Sequence, residues 1–230
     1  MKKKTPLKKK ALPLHIRTHY PSPILENPPA LSDDEKIELI AEKYKEIIQV
    51  LGLDLSDDSL KRTPYRIARM YIKEIFSGLD TNNFPEVSFF ENKFHPSKGE
   101  NANMVLVKVN FTSFCEHHFV PMRGYAYVAY VPHKKLIGLS KIPRIVRFFA
   151  KRPQLQERLA AQIADSLAIL LETENVAVSI IAEHYCVISR GIENEHSNTV
   201  TNILRGNFQS NDNLRRELFE SIKRQGTLPP

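Results

Sequence analysis

The chain has 230 residues, 42% of them hydrophobic and 26% charged, a balance that fits a globular protein with a real core and excludes a disordered polymer. No apolar run approaches the roughly 20 residues that span a bilayer, and the cationic start is broken by Pro13, His15 and Arg17 where an export signal needs an unbroken apolar stretch, so a cytoplasmic protein is expected. Of the formal net charge of +7, six positives sit on Lys2, Lys3, Lys4, Lys8, Lys9 and Lys10, so the rest of the chain is nearly neutral and gives no reason to expect a nucleic-acid or membrane partner.

Residues 1–31 are rich in lysine and proline and are expected to lack fixed structure, either as a solvated arm or as a contact for RNA or anionic lipid. Ser32 and Glu35 have the spacing of a capping box, and apolar residues at helical intervals follow as far as Gly52. A second helical run begins with Thr63 as a cap and Pro64 at the first helical position, and ends near Gly78. Residues 32–82 therefore read as a helical module, followed by a second domain over 83–230. In that domain "NMVLVKVNF" and "RGYAYVAYVP" alternate with period two and predict strands. "SKIPRIVRFFAKR" and "PQLQERLAAQIADSLAILLET" predict helices, the second with Leu155, Leu159, Ile163, Leu167 and Leu170 along one face. "NVAVSIIAEHYCVIS" is β-branched again and predicts one or two strands. The order β-β-α-α-β-β implies an α+β fold, an antiparallel sheet with helices on one face.

Between the first two strands lies "TSFCEHHFVPMRG". Cys115 and Cys186 are the two cysteines of the chain, and each has histidine nearby, which favours metal binding or catalysis over a disulfide. Cys115 and His118 are three apart, so a turn brings both side chains to one side, and thiolate with imidazole suits zinc. On a strand, His184 and Cys186 would leave the same face. One reading uses every residue: Cys115, His118 and Cys186 as ligands of an open zinc site, with His117 and His184 free as acid and base. Its rival is a closed structural site of two cysteines and two histidines. An open site keeps a position for water, whose pKa zinc lowers to about 7.

Ser140 stands at a predicted helix start with Lys141 and Arg144 in the first turn. Cations there oppose the helix dipole at roughly 0.3–1 kcal/mol each, a sign that a bound anion reverses. Arg66 and Arg69 follow Pro64 in the same manner, and Arg190 follows Cys186 closely. Each of these alone also fits a solvated helix face; together, on several elements, they fit a polyphosphate. Glu157 sits in a first turn, where dipole complementarity accounts for a carboxylate.

Taken in order, "DDSLKRTPYRIARMY", "CEHHFVPMRG", "IGLSKIPRIVRFFAKRPQLQERL" and "HYCVISRG" resemble GTP cyclohydrolase I over about residues 33–225. The resemblance implies zinc on Cys115, His118 and Cys186, and catalytic histidines at His117 and His184. It implies that Glu157 recognises the guanine edge, and that Ser140, Lys141, Arg144, Arg190 and Arg66 surround the ribose and triphosphate. Arg69 falls where some members carry lysine, so the charge is kept and the donor geometry changes. The implied fold is the tunnelling fold, assembled as a decamer of two pentamers with active sites between subunits and the helical module serving assembly. The implied reaction opens the guanine imidazole ring at carbon 8, releases that carbon as formate, and rearranges the ribose to close 7,8-dihydroneopterin triphosphate. His184 is the better-placed acid for the ring nitrogen, with His117 and Ser140 acting at the ribose. Two alternatives keep the same fold: a non-catalytic zinc- and purine-binding protein, and a variant that opens the purine without forming the pterin. A third is a zinc protein whose basic tail binds RNA.

Overall fold

The computed structural model describes Pro13 and residues 16–93, 103–194 and 197–226. Helix α1 (Asp33–Val50) begins at the predicted capping box: Ser32 Oγ accepts from the Glu35 N–H at 3.3 Å, and the Glu35 carboxylate accepts from the Ser32 N–H at 2.7 Å. Ile37 and Ala41 pack against Ala68 of α2 (Thr63–Met70). Pro64 occupies the first turn of α2 as expected, but the cap position falls on Arg62, whose side chain makes no capping bond, and Thr63 is already the first helical residue. The run then continues as a π-helical turn over Tyr71–Ile75 and short 3-10 turns up to Asn83.

A short ribbon pairs β1 (Phe89–Glu91) with β4 (Lys135–Ile137), antiparallel. The main sheet has five strands, β2 (Val105–Cys115), β3 (Pro121–Tyr130), β5 (Pro153–Gln154), β6 (Val176–His184) and β7 (Asn198–Leu204), in the spatial order β5-β2-β3-β6-β7. All neighbours are antiparallel except the two-residue parallel pairing of β5 with β2. Helices α3 (Lys141–Ala150) and α4 (Gln156–Leu171) lie between β3 and β6 in sequence, which gives the expected α+β order. They cover one face of the sheet, where Ile142, Ile145, Phe149, Leu159, Ile163 and Leu167 meet Val109, Met122, Val128 and Ile180.

Helices on one face alone is not what the structure has. After α5 (Tyr185–Ile188), β7 and α6 (Asn207–Ser210), helix α7 (Asp212–Arg224) packs Leu214, Leu218 and Ile222 with Phe208 on the opposite face, over Tyr127, Ala129 and Ala177. Alternation along β3 explains it. Tyr127 and Ala129 point away from α3 and α4, and both are fully buried, so that face needs its own cover. Tyr127 Oη donates to the Gly226 carbonyl at 2.6 Å, and Lys108 Nζ donates to the Gln225 carbonyl at 3.0 Å, which fixes the end of α7. No helix among the described residues is long and apolar enough to cross a membrane.

At Gly124 the strands β3 and β6 approach so closely that an added Cβ would stand 2.0 Å from the Ile181 carbonyl oxygen and 2.6 Å from Ala182 Cα. Backbone cannot retreat there as a flexible side chain would. Gly124→Ala is expected to destabilise the fold by about 1–3 kcal/mol, seen as a lower urea midpoint with an unchanged slope.

The expectation that residues 1–31 lack fixed structure fails over 16–22, while 1–12, 14 and 15 lie outside the described residues. Ile16 is buried in the main core. The His19 N–H and Nδ1 bond the carboxylate of Asp165 at 2.7 and 3.0 Å, and Arg205 pairs with the same buried carboxylate. Gln162 Nε2 donates to the Tyr20 carbonyl at 3.0 Å and to Ser22 Oγ at 3.1 Å. This strap supplies partners for polar groups that α4 buries, a role hidden by the average composition of the segment.

Candidate functional site

Cys115 ends β2, and the chain turns at once: the Phe119 N–H donates to the Cys115 carbonyl at 2.8 Å, and the Cys115 N–H to the Val120 carbonyl at 2.9 Å. The turn closes with Phe119 in the left-handed region at φ 55°, which is uncommon for an aromatic residue. Its ring packs on Phe76 and Tyr71, with centroids 5.1 and 6.2 Å away, so the helical module holds the turn from outside. His118 is thereby folded back beside Cys115. Cys186 arrives from α5, and one ligand atom from each of Cys115, His118 and Cys186 lies within 4.8 Å of the others. The expected strand geometry at His184 and Cys186 is corrected here, since β6 ends at His184 and Cys186 sits in a helical turn.

The donor set fits zinc. Both cysteines are free, two soft sulfurs and an imidazole are close enough for one ion, and the group runs from the buried Cys115 to the exposed His118. Burial pushes the Cys186 thiol above its usual range; the adjacent Cys115 adds to the rise and Arg190 opposes it. Metal must therefore displace the proton of the Cys186 thiol. Zinc affinity is expected to rise with pH by about tenfold per unit for each proton released, and chelator competition between pH 6 and 8 measures the slope.

His184 lies at the end of β6, with Nε2 2.8 Å from Gln156 Oε1. The Gln156 amide nitrogen bonds the Ile180 carbonyl at 3.3 Å and the Thr199 carbonyl and Thr201 Oγ1 at 3.0 Å each, so its oxygen must be the atom facing His184. His184 then carries its proton on Nε2 and presents a lone pair on Nδ1. Burial lowers the His184 pKa, while the carboxylate of Glu157 pulls the other way. Gln156 was absent from the sequence reading, because its importance comes from a contact across 28 residues and from no local pattern.

His117 is exposed, with Nδ1 3.8 Å from Cys115 Sγ, and Arg190 lies 2.7 Å from His118 Nε2. Glu157 is exposed in the first turn of α4. The remaining predicted residues stand elsewhere. Ser140 takes the N-cap position of α3 without a side-chain capping bond, and Lys141 and Arg144 follow in the first turn. Arg144 lines a separate cavity with Ser77, Asn83, Arg147 and Lys151. Arg66 is exposed on α2, and Arg69 pairs with Glu74 at 3.0 Å.

A largely antiparallel α+β sheet thus brings together two thiols and an imidazole that could hold a metal ion, beside a histidine oriented by Gln156. The chain belongs to the GTP cyclohydrolase I family of enzymes, whose family model matches residues 40–223. It is 52% identical to the GTP cyclohydrolase 1 of Vibrio parahaemolyticus over 197 residues, covering 85% of this chain and 88% of that one. It is 51% identical to the GTP cyclohydrolase 1 of Erwinia tasmaniensis over 209 residues, 90% of each chain. With the enzyme of the same name from Salmonella arizonae the identity is 52% over 194 residues, 84% of this chain and 85% of the relative.

Proposed function

We propose that the chain is a zinc-dependent GTP cyclohydrolase I that converts GTP and water to formate and 7,8-dihydroneopterin triphosphate, the entry to tetrahydrofolate and other pterins. The observation that carries this reading is the gathering of Cys115, His118 and Cys186 next to a His184 whose tautomer Gln156 fixes. Zinc on those three residues supplies Lewis-acid polarisation and water activation near neutral pH. Glu157 accepts hydrogen bonds from the guanine edge. As the acid toward the purine ring, His184 must first take a second proton on Nδ1, a step that the Glu157 carboxylate favours and burial opposes. His117 and Ser140 move protons at the ribose. Lys141, Arg144, Arg190, Arg66 and Arg69 bind the triphosphate.

The cations on α2 and α3 complete a site when contributed by a neighbouring copy, which fits a tunnelling-fold ring and a decamer of two pentamers. Support for assembly comes from large apolar side chains left open around α1: Leu39, Val50 and Leu51 are 55%, 88% and 68% exposed. In this reading residues 32–82 serve assembly, residues 83–230 form the catalytic domain, residues 1–31 take no part in the chemistry, and the enzyme works in the cytoplasm without nucleic acid or membrane.

The deciding experiment incubates zinc-loaded protein with GTP and assays formate and pterin together. Equal yields establish the full reaction. Formate without pterin means purine opening alone, and neither product means a binding protein that retains the fold.

A further inference from the structure

We propose that Arg158 and Glu116 are a positioning pair that holds the Cys115–His118 turn in ligating geometry. The inference rests on the metal reading of Cys115, His118 and Cys186 and adds two residues that neither ligate nor touch substrate. Glu116 lies inside the turn, between one ligand and His117. Its carboxylate receives both ends of the Arg158 guanidinium: Nη1 bonds Oε2, and Nη2 bonds Oε1 at 3.3 Å. The Glu116 N–H donates to the Gln154 carbonyl at 3.0 Å, so backbone and side chain fasten the same residue.

Three features indicate positioning rather than an incidental surface pair. Arg158 is only 7% exposed at its side chain and Glu116 20%, so the pair stands largely apart from water and from its screening. The Tyr20 ring lies 4.8 Å from the guanidinium carbon and covers it. Arg158 Nε is buried without a hydrogen-bond partner among the described residues, so the guanidinium is held through its two Nη groups, by Glu116 and with help from the Tyr20 side chain. A partly buried pair of this kind is weak support for stability, because desolvation offsets the attraction. What a two-pronged contact supplies is direction. The turn needs that constraint, since Phe119 sits in a backbone conformation that persists only where its surroundings enforce it.

The placement on α4 adds a consequence. Gln156 orients His184 and Arg158 holds the ligand turn, two residues apart in one helical turn. A single rigid element therefore sets the distance between the metal ligands and the proton-transfer group.

The test compares full-length wild type with Glu116→Gln, Arg158→Met, Arg158→Lys and the Glu116→Gln/Arg158→Met pair. Cobalt(II) titration reads the thiolate charge-transfer band, and chelator competition reads zinc affinity; folding is checked by circular dichroism. The expected result is a loss of zinc affinity of about 10–100-fold in each single variant, with an altered cobalt spectrum and a double variant no worse than the weaker single. Arg158→Lys keeps the charge without the fork and is expected to stay weakened. If Arg158→Met does not fold, Glu116→Gln carries the test, because it removes only a charge at a partly exposed position. A folded Glu116→Gln protein with wild-type affinity and spectrum overturns the proposal. A wild type that binds neither metal overturns the metal reading itself, and the positioning role with it.

Discussion

The Cys186→Ser protein is expected to hold no stoichiometric zinc and to release no formate from GTP. Serine keeps the size of the side chain but replaces a soft sulfur, which ionises on metal binding, by a hydroxyl that does not. Cys115 and His118 alone then leave two ligands, one of them exposed to solvent. The fold tolerates the change, because Cys186 is only partly buried and its helical turn is closed by backbone, with the Ser189 N–H bonding the Tyr185 carbonyl at 2.9 Å. Metal analysis of the purified variant, with circular dichroism and a formate assay, reads all three quantities. Zinc retained at one per chain would remove Cys186 from the ligand set.

His184→Ala separates the other half of the site. It is expected to keep zinc at the wild-type stoichiometry and to lose turnover by about 10²–10⁴-fold, the usual share of a general acid or base. The residue touches Gln156 and lies two positions before a ligand, yet none of the three clustered ligand atoms is its own. The substitution leaves Gln156 Oε1 without its partner, a modest cost set against three remaining bonds from the amide nitrogen. Zinc content and single-turnover formate release distinguish the two variants. A His184→Ala enzyme of normal activity would refute the assignment.

What the sequence made legible were features whose cause is local. The capping box at Ser32 and Glu35 and the alternation that marks β2 and β3 depend on neighbours a few residues away, and so does the turn between Cys115 and His118. What stayed hidden depends on partners far along the chain. The β-branched run past His184 reads as a continuing strand, but in the register His184 faces Met122, one residue from the start of β3, and Glu183 already faces Asn198 at the start of β7. With both neighbours used up, the backbone of Tyr185 has nothing to pair with and closes on itself as α5. Strand β7 is mostly polar and half-exposed, and α7 is needed only because β3 buries both of its faces; neither fact can be read from the segment itself. Arg158 and Glu116 are 42 residues apart, and nothing in either stretch announces the other.

The strap over residues 16–22 bears on how the gene should be cut. Ser32 looks like a natural place to start a shortened chain for crystallisation, since the first capped helix begins there. That truncation would take Ile16 out of the core, leave Asp165 with Arg205 after the loss of its bonds to His19, and strip Tyr20 from the guanidinium of Arg158. Purification tags therefore belong upstream of Ile16, and a trimmed protein that still folds would be the wrong sample in which to measure metal affinity.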